Sequence, residues 1–196
     1  MKTTRLEAFS DGVIAILITI MVLELKVPHA PTWEALTPQL PVFLAYVLSF
    51  IYLGIYWNNH HHLFHVCERV SGGILWANLH LLFWLSLVPF ATGWMGENHF
   101  AALPTALYGC VLLSASLAYL ILQCVIVRRP DTGARLALAL GSDLKGRISL
   151  VAYAIAIPAA FLHQWISDAL YVAVAALWLI PDRRIENVLG REGRTD

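Results

Sequence analysis

Six long apolar blocks constrain this chain more than any other feature of its sequence. A helix that crosses a bilayer needs about 20 mostly apolar residues, within a range of about 17–25. The candidate blocks run from Arg5 to Lys26, Leu40 to His65, Gly73 to Met95, Ala101 to Val127, Arg147 to Trp165 and Ser167 to Pro181. In hydrocarbon every backbone N–H and C=O must be satisfied within its own segment, so such blocks read as helices. The expected fold class is therefore an all-α membrane protein with six transmembrane helices. Only 13% of the 196 residues are charged and 59% are hydrophobic, whereas a soluble domain carries about 25% charged residues. The last two blocks are short and share a tight His163–Ser167 connection, so a re-entrant hairpin is the alternative to two crossings.

Charge placement decides between them. With six crossings, one side receives Lys2, Arg5, Arg69, Arg128, Arg129, Arg135, Lys145, Arg147, Arg183, Arg184, Arg191 and Arg194, and the other receives Lys26 alone. That bias predicts a cell-membrane protein with both termini in the cytoplasm. Glu24, Glu34, Glu97 and Asp168 then lie outside, with Trp33, Trp94 and Trp165 near the outer interface. Acidic and basic residues cancel to a net charge of zero, which predicts no nucleic-acid partner. The basic start of the chain imitates a signal peptide, but no small-residue cleavage site follows Leu23, so the first block reads as a retained span. Cys67, Cys110 and Cys124 read as small apolar fillers rather than disulfides. One six-span membrane domain, residues 1–181, and a charged cytoplasmic tail, 182–196, account for the chain. Pro89 and Pro158 fall inside blocks, where each is expected to kink its helix.

The first block carries the most information. Thr4 and Glu7 have the spacing of a capping box. At 100° per residue, Phe9, Gly12, Val13, Ile16, Thr19, Ile20 and Leu23 share one helical face, with Asp11 opposite. A carboxylate at this depth normally faces protein and pairs with a donor. Arg5 lies on a different face, so Asp11 needs partners on other helices or subunits.

Arg5, Phe9, Ser10 and Asp11 at the start of the first span resemble the signature of the transmembrane protein 175 family. Trp57, His60, Leu63 and Phe64 in the second span are similar to that family, as are Asn78, Leu82, Ser86, Leu87, Pro89, Phe90 and Thr92 in the third. The resemblance implies a potassium-permeable channel of four six-span subunits, with no catalysis and no cofactor beyond the permeant potassium. It implies that the first helix lines a central pore, narrowed at Ile16, Thr19, Ile20 and Leu23. Arg5, Phe9, Ser10 and Asp11 become a structural hub, packed with Trp57, His60 and Asn78. The filter loop of ordinary tetrameric potassium channels is absent; the constriction that the resemblance implies is hydrophobic, and such a constriction can gate by dewetting. Thr19 hydroxyls could replace part of the ion's hydration, and Glu24 should make the outer mouth favourable to cations.

Two other functions compete. A small ion- or proton-coupled secondary transporter would show inverted repeats and broken midplane helices, and no internal symmetry is visible. The cluster His60, His61, His62 and His65 suggests a metal-dependent membrane enzyme, but its neighbouring carboxylates reduce to Glu68. A channel that binds no resident metal is the preferred reading.

Overall fold

The computed structural model describes residues 3–65, 67, 69–128 and 144–180. Helix α1, Thr3–Met21, ends in a 3-10 turn, Val22–Glu24, and a short α2, Trp33–Leu36, leads through a second such turn into α3, Leu40–His65. There follow α4, Gly72–Ser86; α5, Val88–Glu97; α6, Ala102–Val127; α7, Leu144–Ala159; and α8, Gln164–Leu179. Among the described residues, four stretches are long and apolar enough to cross a membrane: Thr3–Glu24, Trp33–His65, Gly72–Glu97 and Ala102–Val127. Helices α7 and α8 have 16 residues each, about 24 Å at 1.5 Å per residue, shorter than a hydrocarbon core of about 30 Å.

The third stretch is broken. Pro89 has no N–H and its ring would collide with the carbonyl four residues back, so α4 stops at Ser86 and Leu87 N–H instead donates to Trp84 O at 3.2 Å. Pro158 behaves differently from expectation. It stands next to the last residue of α7, so it helps end the helix rather than bend it in mid-span. The Ala156 carbonyl accepts both from Ala160 N–H at 3.1 Å and from Ser167 Oγ at 2.6 Å, which ties the start of α8, at Gln164, to the end of α7. Thr4 and Glu7 both lie within α1, and no capping bond forms between them.

Helix α1 packs against α3, α4 and α5 at one edge of the bundle. Helix α6 is central, touching α4, α5, α7 and α8, and α8 closes back onto α3. Backbones approach closely where side chains are absent: a Cβ on Gly96 would lie 2.7 Å from Val42 Cα, so α3 and α5 cross in direct contact there. Small residues at such crossings are the usual route to tight helix packing in membranes, where apolar burial from lipid supplies little drive.

Lys145, Arg5, Arg69, Arg128 and Arg147 stand at helix ends on one side of the bundle, and Lys26 stands at the other. The remaining basic residues of the charge argument, Lys2, Arg129, Arg135, Arg183, Arg184, Arg191 and Arg194, and the tail 182–196, lie outside the described residues, as does Glu68.

Candidate site along the first helix

The two faces of α1 have different fates. Leu6, Ser10, Ile14, Leu17 and Met21, spaced by three or four residues, are buried against the bundle. On the other side Ile16 is 57% exposed, Ile20 43% and Leu23 77%, with Thr19 exposed between them and Gly12 exposed one turn before Ile16. Val13, which shares the stripe by periodicity, turns partly inward and packs on the core. Thr19 Oγ1 donates to the Ile16 carbonyl at 2.9 Å, which occupies its proton and leaves its lone pairs free to accept or to face a cation. Leu23 sits beyond the α-helix proper, in the 3-10 turn.

The buried face is anchored by a directional chain of hydrogen bonds. The Leu6 carbonyl can only accept, so Ser10 Oγ donates to it, at 2.9 Å. Ser10 Oγ must then accept from its other neighbour, Asn78 Nδ2, also at 2.9 Å. That orients the Asn78 amide, whose Oδ1 faces His60 Nε2 at 2.7 Å and takes its proton. All three side chains are buried. The His60 ring also lies tilted against Phe64, with ring centroids 4.6 Å apart, and its Nδ1 has no partner among the described residues. Ser10, Asn78 and His60 thus join α1, α4 and α3 through groups that hydrocarbon would strongly penalise if left unpaired.

Asp11 lies one residue further along and meets a different donor, Trp57 Nε1, at 3.0 Å. Arg5 and Phe9 do not join this network within the chain. Both are exposed, Phe9 at 53%, and Arg5 makes no hydrogen bond or ion pair with the described residues. The motif therefore divides into a bonded pair, the buried Ser10 and the half-buried Asp11, and an outward pair, Arg5 and Phe9.

Glu24 reaches the other end of α1 and lies against α5, where its carboxylate is within 3.5 Å of the space a Cβ on Gly93 would fill. Beside it, Lys26 Nζ pairs with Glu97 Oε1 at 3.0 Å and Lys26 N–H donates to Gln39 Oε1 at 3.2 Å, tying the loop after α1 to α5 and to the turn that precedes α3. Among the described residues no group of three or more His, Cys, Asp or Glu side chains converges on a possible metal position. The His61 and His65 rings lie 6.2 Å apart and tilted, and Cys67, Cys110 and Cys124 form no disulfide.

A second polar cluster, which the sequence did not single out, lies deeper. Thr92 Oγ1 donates to Val88 O at 2.7 Å, so Ser49 donates to Thr92 at 2.6 Å and Tyr108 donates to Ser49 at 2.9 Å. Tyr52 donates to Tyr171 O at 2.7 Å, and the Tyr171 hydroxyl to Thr105 O at 3.0 Å, filling the notch left by Gly109. The available signal was the position of these tyrosines: they lie mid-helix, far from the interfaces tyrosine prefers, and a phenol there requires a partner.

The sequence model of the family described as endosomal/lysosomal potassium channel TMEM175 matches residues 5–89, the part of the chain that holds Ser10, Asp11, Trp57, His60 and Asn78. The chain is 56% identical over 189 residues to a potassium channel of Chryseobacterium sp. (strain P1-3), covering 96% of this chain and 98% of that one. It is 40% identical over 129 residues to a potassium channel of Streptomyces collinus, covering 60% of this chain and 61% of that one. Among solved structures, a lysosomal potassium-selective channel TMEM175 homolog from Chamaesiphon minutus superposes with a TM-score of 0.76 at 28% identity, covering 91% of this chain and 96% of that one.

Proposed function

This chain belongs to the TMEM175 family of potassium channels, and from that premise we propose that it forms a homotetrameric, potassium-permeable cation channel whose pore is lined by α1. Membership places it among membrane channels rather than enzymes. The observation that carries the pore reading is the exposed stripe Ile16, Thr19, Ile20 and Leu23, on a helix whose other face is seated by the Ser10–Asn78–His60 chain. An edge helix packed on one side only is available to meet its copies around an axis, and one helix per subunit encloses a pore only under closed cyclic symmetry.

In this reading Ile16 and Leu23 set a hydrophobic barrier that gates by dewetting, Ile20 narrows the wall between them, and Thr19 oxygens favour potassium. Glu24 lies at the outer mouth. Arg5 and Phe9 make their contacts with a neighbouring subunit, and residues 1–181 act as one channel domain with 182–196 as a tail. Six crossings, with α7 and α8 as the short last pair, put both termini in the cytoplasm of a cell-membrane protein. The basic helix ends described above support that orientation. Potassium flux into liposomes holding the purified protein, driven by a potassium gradient alone, tests the activity and distinguishes a channel from a proton-coupled transporter.

A further inference from the structure

A cavity of about 470 Å³ opens at the basic end of the bundle, between α3, α6, α7 and α8 and away from α1. Its volume falls within the range of about 300–1,000 Å³ typical of small-molecule sites. Ile55, Leu120, Val127 and Leu150 make the wall mostly apolar, which does not favour filling by water. Arg128 and Arg147 stand at the same cavity, both exposed, and neither forms an ion pair with a described residue. Between rim and interior lies Gln123. It is only 6% exposed, it lines the cavity, and its amide has no hydrogen-bond partner among the described residues. Its amide oxygen and nitrogen are not sealed off from the cavity, so a polar group of an occupant can reach them.

These features follow the order of groups in a phospholipid. Gln123 precedes Arg128 by little more than a helical turn, roughly 7 Å along the axis at 1.5 Å per residue. The headgroup zone of one leaflet is roughly 5–8 Å thick, so an amide at that depth meets ester carbonyls when the guanidiniums meet phosphate. Guanidinium forks bind phosphate and carboxylate oxygens alike, and the depth of Gln123, which matches an ester carbonyl, favours a phospholipid over a fatty acid. Basic pockets between membrane helices on one leaflet commonly hold anionic headgroups. We propose that this cavity binds an anionic phospholipid, with one acyl chain inside, its ester carbonyl on Gln123 and its phosphate on Arg128 and Arg147. The proposal rests on the membrane placement of the helices and not on which helix lines the pore.

The test uses the purified full chain in a neutral detergent, with dioleoyl phosphatidylglycerol, dioleoyl phosphatidylcholine or oleate added, read by thermal unfolding and by native mass spectrometry. Phosphatidylglycerol should raise the unfolding temperature by several degrees more than phosphatidylcholine, with one lipid retained per subunit. Arg128→Gln with Arg147→Gln should abolish most of that difference, and Gln123→Leu should reduce it. Ser116→Phe, which fills the cavity from α6, should remove the retained lipid. Arg69→Gln, an exposed arginine on the same end outside the cavity, should leave both readings unchanged. Equal shifts with the two phospholipids, an unaltered difference in the double arginine variant, or the whole effect reproduced by oleate would each overturn the proposal. The arginine variants alter exposed positions and keep the test valid if the filled-cavity variant does not fold.

Discussion

Asn78 Nδ2 donates to Ser10 Oγ at 2.9 Å, so the helix proposed to line the pore is held to α4 by a buried bond whose direction is set by the Leu6 carbonyl. The same amide accepts from His60, and one side chain therefore satisfies two helices at once.

Asn78→Leu should cost more than Ser10→Ala. The first leaves the His60 N–H without its acceptor and Ser10 without its donor, whereas the second leaves only one amide proton unpaired. A buried unpaired group costs about 1–3 kcal/mol, although paired groups in membrane bundles average nearer about 0.6 kcal/mol. A loss of about 1–2 kcal/mol is expected for Asn78→Leu, measured by unfolding in mixed detergent micelles. Equal stability of the two variants would contradict the chain as drawn.

Trp57→Phe removes the donor that faces Asp11 at 3.0 Å while keeping most of the ring. Asp11→Asn keeps an acceptor for that donor, so it should be the milder change, and Asp11→Leu the harsher. Cross-linking of purified protein should show the yield of tetramer falling in that order, because α1 must be correctly seated to meet its copies. The same yield from all three would remove Asp11 from any role in seating α1.

Gly96→Ala should destabilise far more than Gly54→Ala. A methyl at Gly96 meets the Val42 backbone, which cannot rotate away, while one at Gly54 meets nothing within 4 Å. Gly54→Ala should be neutral or stabilising by about 0.5–1 kcal/mol through helix propensity. Thermal unfolding of both variants checks the crossing of α3 and α5 directly.

Thr19→Val replaces the hydroxyl that donates to Ile16 O with a methyl of similar size. In the proposed pore it should keep flux but lower the preference for potassium over sodium, read as separate fluxes from the same liposome preparation. An unchanged ratio would remove Thr19 from ion discrimination.

Much of the fold was legible because hydrocarbon forces long apolar runs into helices. The block Leu40–His65 coincides with α3, and Ala101–Val127 differs from α6 by one residue. The break at Leu87 was announced by Pro89, but the placement of Pro158 near a helix end was not, since a proline gives no sign of how far the helix continues. Burial was much harder to read. Lipid and protein interior are both apolar, so an isoleucine such as Ile14 and an isoleucine such as Ile16 look alike in sequence, yet one is buried and the other exposed. Polar residues broke the tie for Ser10 and Asp11. The tyrosine cluster went unread because its partners, Ser49, Thr92 and backbone carbonyls, carry no local pattern.

The central claim is that the exposed stripe of α1 forms the ion path, and Ile16→Asn tests it most directly. Four amides in place of four sec-butyl groups would wet the constriction and offer oxygens to a passing ion. Potassium and sodium fluxes should be measured in liposomes at matched protein density, with Val151→Asn as a control on the equally exposed face of α7. The account predicts that Ile16→Asn raises total flux or lowers the potassium preference severalfold while the control does neither. Fluxes indistinguishable from those of the unaltered chain would contradict it.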